Sequence, residues 1–304
     1  MLLGFFYARP ASALLLDEPD AHEHVFLQKL VSDRLRLVAR NRRCQLVIAT
    51  HSEVIIDNTS PERIMSFYGE PHLLERDVDR EHVREALKRV SALDLLLLEE
   101  HRGVLYTESR NDLDCLREWA RILRHEALPF LEGPLWHDNM GRHPREARAH
   151  FFALRAIRGD VCGALLLDGD NRGLPSHELS ADGLTILRWK RDEVENDLIV
   201  PSTIRRFLER AAGDLLAQPA VEAAMEFLKR NLPPAAVEAA LGDHDYLNVT
   251  AARKSILPQL FRAVGIPISA DEYFQIAAAM SVDEIHPEIR EKLDGISAAL
   301  RLCA

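Results

Sequence analysis

The sequence is poor in paired cysteines, in long apolar runs and in positive charge. Its four cysteines lie far apart and form no CxxC pair, so neither a zinc site nor a disulfide framework is expected, and a reducing compartment is favoured. No apolar run reaches the roughly 20 residues that span a bilayer. Lys and Arg number 38 against 48 Asp and Glu, a formal net charge of -10, which argues against a passive nucleic-acid coat protein.

The apolar start of the chain is not expected to act as a secretory signal. Residues 1–13 end in the small-residue pattern Ala-Ser-Ala, but no Lys or Arg precedes them, and Arg9 and Pro10 interrupt the apolar stretch. We therefore expect a cytoplasmic protein with no membrane partner.

The pattern of apolar residues predicts an α/β fold. The 304 residues, 47% hydrophobic and 28% charged, suit a folded chain of about two domains. Short apolar runs predict strands at Leu14–Leu16, Gln45–Thr50, Val104–Thr107, Gly163–Leu167 and Leu184–Leu187. Helical spacing predicts helices near 24–40, 112–123 and 147–158, and over much of the chain after Pro201. Alternating strands and helices indicate a mainly parallel sheet flanked by helices.

Two adjacent carboxylates, Asp17 and Glu18, follow the first predicted strand, and His51 follows the second. Ligands of open parallel sheets bind at the carboxyl ends of the strands. One carboxylate can hold Mg²⁺ while its neighbour polarises water, and an imidazole can contact a γ-phosphate. The alternative is that these acids, which precede Pro19, only mark a helix N-terminus, where negative charge is favourable.

The segment LLLDEPDAH resembles the Walker B segment of ABC-type ATPases, and IATHS resembles their switch-histidine segment. The resemblance implies that Asp17 is the Mg²⁺-side acid, Glu18 the catalytic base and His51 the γ-phosphate sensor. The chain lacks the GxxxxGK[ST] phosphate loop and an LSGGQ-like signature. It is therefore expected to bind ATP only together with a phosphate-loop portion, supplied upstream or by a partner protein.

A second group of acids follows later strands. Glu108 ends one predicted strand, Asp112 lies four residues further on, and Asp168 and Asp170 end another strand with Gly169 between them. Carboxylates at the ends of adjacent parallel strands repel one another unless a divalent cation is present, and they offer the oxygen ligands that Mg²⁺ or Mn²⁺ prefers. Two such ions can stabilise the attacking and leaving oxygens of phosphodiester cleavage.

This arrangement of E and DxD resembles the Toprim (topoisomerase–primase) fold, whose acids bind divalent metal. The resemblance covers about residues 103–199 and implies a Rossmann-like sheet with a two-metal site. The glutamate of that fold normally precedes glycine, whereas Ser109 takes that place here.

The order of the parts resembles the OLD (overcoming lysogenization defect) family of ATP-dependent endonucleases. In that family an acidic segment close to E-x-E-N follows DxD, and Glu193, Glu195 and Asn196 match it; Glu195 is the preferred metal ligand. The family also places a lysine at the start of a tail helix, for which Lys254 is the best candidate. The resemblance implies DNA as substrate, a homodimer in the complete protein, and a role in phage defence or DNA processing.

Other interpretations stay open. Asp112 can be a helix cap, the acidic run 192–197 a solvated surface, and Lys254 a surface lysine. The chain can be an ATP-dependent regulator or sensor that binds DNA without cutting, or another Toprim enzyme such as a primase or topoisomerase. The predicted domains are an ATPase end at 1–70, a helical connector at 71–100, a Toprim domain at 101–200 and a helical C-terminal region at 201–304.

Overall fold

A computed structural model shows two compact units, which are described separately. The N-terminal unit comprises Met1–Ala92 with Phe152–Gly159, and the main unit comprises Leu93–Phe151 with Asp160–Ala304. The residues that the structure describes are 13–19, 24–50, 52–67, 71–77, 80, 83–84, 88–138, 144–170, 182–212, 214–242 and 245–302. Among the described helices, none is both long enough and apolar enough to cross a bilayer.

The N-terminal unit begins with the predicted strand–helix–strand arrangement. Strand β1 (Ala13–Asp17) pairs in parallel with β2 (Gln45–Ala49), and helix α1 (Val25–Arg42) connects them. The imidazole of His24 accepts a hydrogen bond from the Phe26 amide at the start of α1, in place of a more usual oxygen-bearing cap. A short helix α2 (Glu53–Asp57) and the antiparallel strands β3 (Met65–Ser66) and β4 (His72–Leu73) follow.

The main unit is built on a four-stranded sheet with the order β6-β5-β7-β8, in which every neighbouring pair is parallel. The strands are β5 (Gly103–Tyr106), β6 (Leu135–His137), β7 (Cys162–Leu167) and β8 (Leu184–Arg188). Because all four run the same way, their carboxyl ends meet at one edge of the sheet. Strand β6 was not predicted, since it lies in a stretch rich in Pro and Gly.

Helices flank this sheet and form most of the chain after β8. They are α3 (Ala92–Glu100), α4 (Arg110–Leu123), α5 (Leu128–Glu132), α6 (Pro144–Ile157), α7 (Pro201–Ala211), α8 (Asp214–Asn231), α9 (Pro234–Glu238), α10 (Asp245–Val249), α11 (Leu257–Val264), α12 (Phe274–Ala277) and α13 (Pro287–Leu300). Within the predicted helical connector at 71–100 the structure has β4 at the beginning and α3 at the end, and the connector as a separate segment stays a prediction.

In the main unit, one apolar cluster runs from the sheet into the C-terminal helices. Trp119 on α4 is fully buried, lies edge-on to Trp189 at 6.3 Å between ring centroids, and donates to the Met280 sulfur at 3.1 Å. Leu300 of α13 covers Gly103 so closely that a Cβ there would lie 2.9 Å from it. The residues after 200 therefore complete the core of the sheet, while the predicted domain boundary at 200 stays a prediction.

Candidate active site

Helix α4 places the first pair of acids at the end of β5. Ser109 is the N-cap of the helix and forms a capping box with Asp112. One Asp112 oxygen accepts the backbone N–H groups of Glu108 and Ser109, each at 3.0 Å, and the other accepts the Ser109 hydroxyl at 2.6 Å. The capping role that the sequence left open for Asp112 is thus present in the structure, while its role as a metal ligand stays a prediction.

The loop after β7 carries the second pair of acids on a close backbone crossing. A Cβ on Gly169 would overlap the carbonyl oxygen of Arg191, so only glycine lets this loop pack against the segment after β8. The Asp170 amide donates to the Asp192 carbonyl at 3.2 Å across the same contact. As a result Asp168 is partly buried at the end of β7 and Asp170 is exposed beside it.

The segment after β8 folds into a buried 3₁₀ turn, Val194–Leu198. Glu195 is 1% exposed, and its carboxylate accepts the Asn111 side-chain amide at 3.0 Å. Glu193 accepts the Arg253 backbone N–H at 2.8 Å and lies 3.0 Å from the Lys254 ammonium. The acidic run is therefore not a solvated surface at these two positions.

Asn196 connects the segment after β8 to residues 247–252 of the C-terminal region by hydrogen bonds. Its side-chain amide donates to the carbonyls of Leu247 and Thr250, and its oxygen accepts the Ala252 amide at 3.0 Å. These bonds hold the start of a π-helical turn, Ala252–Ile256, which carries Lys254. The predicted acid segment and the predicted lysine are thus joined directly, by a buried amide.

Electrostatic effects connect the acids at the ends of β5, β7 and β8. Burial is the main cause that raises the pKa of Asp168 well above its usual value, and the charges of Asp112 and Glu108 raise it further. Burial and then Asp112 raise the pKa of Glu195 to about 8. Burial, Glu108 and Asp192 raise the pKa of Asp170, which the Lys254 charge lowers. Carboxylates from three different loops therefore destabilise one another's ionised forms.

The donor set fits a divalent cation that keeps part of its water. All predicted ligands are carboxylates, the oxygen donors that Mg²⁺ and Mn²⁺ take, and a bound cation would relieve their repulsion. Over the part of the chain that the structure describes, no three of these acids bring one oxygen each within 4.8 Å of one another. Mg²⁺ is usually bound through one or two carboxylates and keeps several waters, so it would not need three of these acids at bonding distance.

Two positioning groups were missed by sequence reasoning. Asn111 is fully buried; besides holding Glu195, its oxygen accepts the Phe274 amide at 2.9 Å. Arg253 lies 3.8 Å from Glu195 and 3.7 Å from Asp271. No sequence motif marks either residue, because each contacts a partner that is far away in sequence. The only hint is that Arg253 precedes the predicted Lys254.

The ATPase-like acids lie at the end of β1. Asp17 is its last residue and is exposed. Glu18 has a φ of 41° and donates its backbone N–H to the Ala49 carbonyl at 2.9 Å. A glutamate in this left-handed region is uncommon, and such backbone is often found at functional sites. His51, the predicted γ-phosphate sensor, lies outside the described residues, so the grouping of the three stays a prediction.

Comparison with known proteins gives a match to a family model and matches to solved structures. Residues 1–57 match the family described as "AAA domain, putative AbiEii toxin, Type IV TA system". The fold is similar to structures of the C-terminal region of the Xanthomonas campestris pv. campestris OLD protein. The one phased with iodine is 16% identical, covers 66% of this chain and 97% of that chain, and has a TM-score of 0.38. The one phased with platinum is 15% identical, covers 69% and 97%, and also has a TM-score of 0.38. No curated protein matches the chain significantly.

Proposed function

We propose that this chain is a metal-dependent DNA endonuclease of the OLD type, with a Toprim site at the carboxyl edge of the main sheet. Two observations support the proposal. Acids from the ends of β5, β7 and β8 raise one another's pKa values, and the Lys254 ammonium lies 3.0 Å from Glu193 beside them. A site of this composition suits phosphodiester hydrolysis by water.

The acids would supply the ligands of two metal positions, and Asn111 would support one of them. Glu108, Asp168 and Asp170 would hold one Mg²⁺ or Mn²⁺, and Glu195 with Glu193 and Asp112 would complete a second position. When bound, the ions supply an activated water and neutralise the charge that develops on the phosphate. The hydrogen bond from Asn111 keeps Glu195 oriented, so Asn111 is a positioning residue.

Lys254 supplies the positive charge of the site. Its side chain is 64% exposed while its ammonium lies 3.0 Å from Glu193, and the Asp170 and Glu108 charges also raise its pKa. The ammonium therefore stays protonated and can reach a phosphate that approaches from solvent. We propose that Lys254 stabilises the pentavalent phosphate and that Glu193 positions it.

Plasmid nicking by the purified chain tests the proposal. We expect supercoiled DNA to be nicked in Mn²⁺ or Mg²⁺ and left intact in EDTA. If no metal supports nicking while DNA binding persists, the proposal is wrong and the chain is better explained as a regulatory module that binds DNA without cutting.

A second activity is proposed from the family match of residues 1–57. The ends of β1 and β2 would form part of an ATP site, with Asp17 on the Mg²⁺ side, Glu18 as base and His51 as sensor. The cradle of backbone N–H groups that holds the triphosphate would come from a phosphate-loop portion outside this sequence.

Calorimetry tests this second proposal. Titration of the chain with ATP and Mg²⁺ should give no measurable heat of binding, because the sequence contains no GxxxxGK[ST] loop. Binding should appear when a phosphate-loop half is supplied. Micromolar affinity of the chain alone would contradict the idea that the ATP site is incomplete.

A further inference from the structure

Three side chains outside the candidate active site form a compact group of metal-ligand type. Asp94 of α3, His137 at the end of β6 and His150 of α6 each offer one atom, and these atoms lie within 4.8 Å of one another. The Asp94 carboxylate is 2.8 Å from His137 Nε2 through one oxygen and 3.5 Å from His150 Nε2 through the other. Asp94 and His150 are almost fully buried, at 4% and 3% side-chain exposure.

The environment of His150 is that of a histidine prepared to bind metal. Its Nδ1 lies 2.9 Å from the Tyr106 hydroxyl. The oxygen of this buried phenol can accept an N–H from Nδ1. Metal-binding histidines usually donate their second ring N–H to an oxygen in this way, which directs the free lone pair of the other nitrogen towards the metal.

Hydrogen bonding alone leaves this group incompletely satisfied. His150 Nε2 is buried and makes no hydrogen bond, although the Asp94 carboxylate lies 3.5 Å from it. The rings of His137 and His150 are only 4.2 Å apart between centroids. A bound dication would satisfy Asp94 and both Nε2 atoms at once.

We propose that Asp94, His137 and His150 bind a Zn²⁺ ion. Two ligand atoms of a tetrahedral zinc with bonds near 2.0–2.1 Å lie roughly 3.4 Å apart, and one ligand atom of each residue already lies within 4.8 Å of the other two. Imidazole nitrogen suits zinc and related transition metals, whereas Mg²⁺ prefers oxygen. The site differs in chemistry from the carboxylate cluster of the candidate active site, and it does not depend on the proposed nuclease function.

This site has no signature in the sequence. A zinc site was not expected because the cysteines form no pair, and the three ligands lie 43 and 13 residues apart along the chain, outside any metal-binding motif. Bound zinc would join α3, β6 and α6 beside β5, the strand that leads to Glu108. Its expected role is structural support of that end of the sheet.

Metal titration of the chelator-stripped protein tests the site. Wild-type protein should bind one equivalent of Zn²⁺ at this site, and the Asp168→Asn protein should still bind it. Co²⁺ bound at the site should give the visible absorption of a four-coordinate ion. His150→Gln and His137→Gln should each abolish this equivalent. The control variant His125→Gln should retain the zinc equivalent. It alters another histidine that is paired with an aspartate, since His125 lies 3.0 Å from Asp294.

A milder variant keeps the test valid if the histidine variants fold poorly. Tyr106→Phe removes only the oxygen that orients His150, so zinc affinity should fall by about 10–100-fold while the fold persists. The proposal is overturned if the Asp168→Asn protein binds no zinc, because all zinc bound by the wild type would then depend on the candidate active site. It is also overturned if the folded His150→Gln protein binds zinc as tightly as wild type.

Discussion

The burial of Glu195 makes the stability of the folded protein depend on pH. The residue is buried, and its pKa is raised to about 8, first by burial and then by Asp112. Between pH 4.5 and 8 the folded protein therefore holds a proton that the unfolded chain has released. Stability conferred by this group is fully present at low pH and is lost as the pH rises towards 8, by at most about 1.4 kcal/mol per pH unit.

This linkage predicts opposite effects of one substitution. In EDTA, the free energy of unfolding of the wild type should fall between pH 6 and pH 8.5, and Glu195→Gln should flatten that decline. At pH 8.5 the variant should be more stable than wild type by on the order of a few kcal/mol, yet nick DNA at least tenfold more slowly. Urea unfolding at several pH values measures the first effect, and a pH-independent difference between the two proteins would contradict it.

At the level of residues, the sequence predicts acids but not the groups that contact them. Glu108, Asp168 and Asp170 were predicted as site residues because they end apolar strands, and the ends of parallel strands meet at one edge of a sheet; their role stays a prediction. Asn111 and Arg253 were missed because their partners lie 84 and 58 residues away in sequence. The Asp94, His137 and His150 group was missed for the same reason.

At the scale of elements, helix α4 links stability to the site. Its capping box uses Ser109 and Asp112, so the residue that departs from the Toprim pattern is the one that caps the helix. A glycine at that position would cap nearly as well by itself but would lack the hydroxyl that bonds Asp112.

The cap predicts the effect of Ser109→Ala. Loss of the Ser109 hydroxyl should lower stability by about 1 kcal/mol and reduce nicking several-fold, because Asp112 is no longer held at both oxygens. Thermal unfolding and plasmid nicking measure the two effects. Ser269→Ala, which breaks the exposed capping box with Glu272, is the matched control and should leave nicking unchanged. Equal nicking by both variants would contradict the link between cap and site.

Strand prediction succeeded where apolar runs were continuous and failed where they were short. Strands β5 and β7 are buried at every residue, which produces the uninterrupted apolar runs typical of parallel sheets. Strand β6 has three residues and exists through its pairing with β5. Its local sequence, flanked by Pro and Gly, carries no signal for that long-range contact.

At the scale of the molecule, the C-terminal helices belong to the core of the sheet. They supply Met280, Ile289 and Leu293 to the same cluster as Trp119, and the turn that carries Lys254. Removal of this region should therefore expose a large apolar surface and leave the sheet unable to fold.

Two fragments test this dependence. A fragment of residues 93–304, which contains the whole main unit, should be soluble and should unfold cooperatively. A fragment of residues 93–200 should aggregate or remain unfolded, as measured by circular dichroism and gel filtration. Cooperative unfolding of the shorter fragment would show instead that the predicted boundary at 200 separates independent domains.

The most direct test of the central claim is the rate of Mn²⁺-dependent plasmid nicking by Asp168→Asn, measured beside Glu226→Gln. Asp168 lies among the site acids, whereas Glu226 is an exposed acid on α8, so both variants remove one negative charge. If the carboxylate cluster is a nuclease site, Asp168→Asn should lose at least 100-fold in rate and Glu226→Gln should nick at the wild-type rate. Nicking by folded Asp168→Asn at the wild-type rate would contradict this assignment.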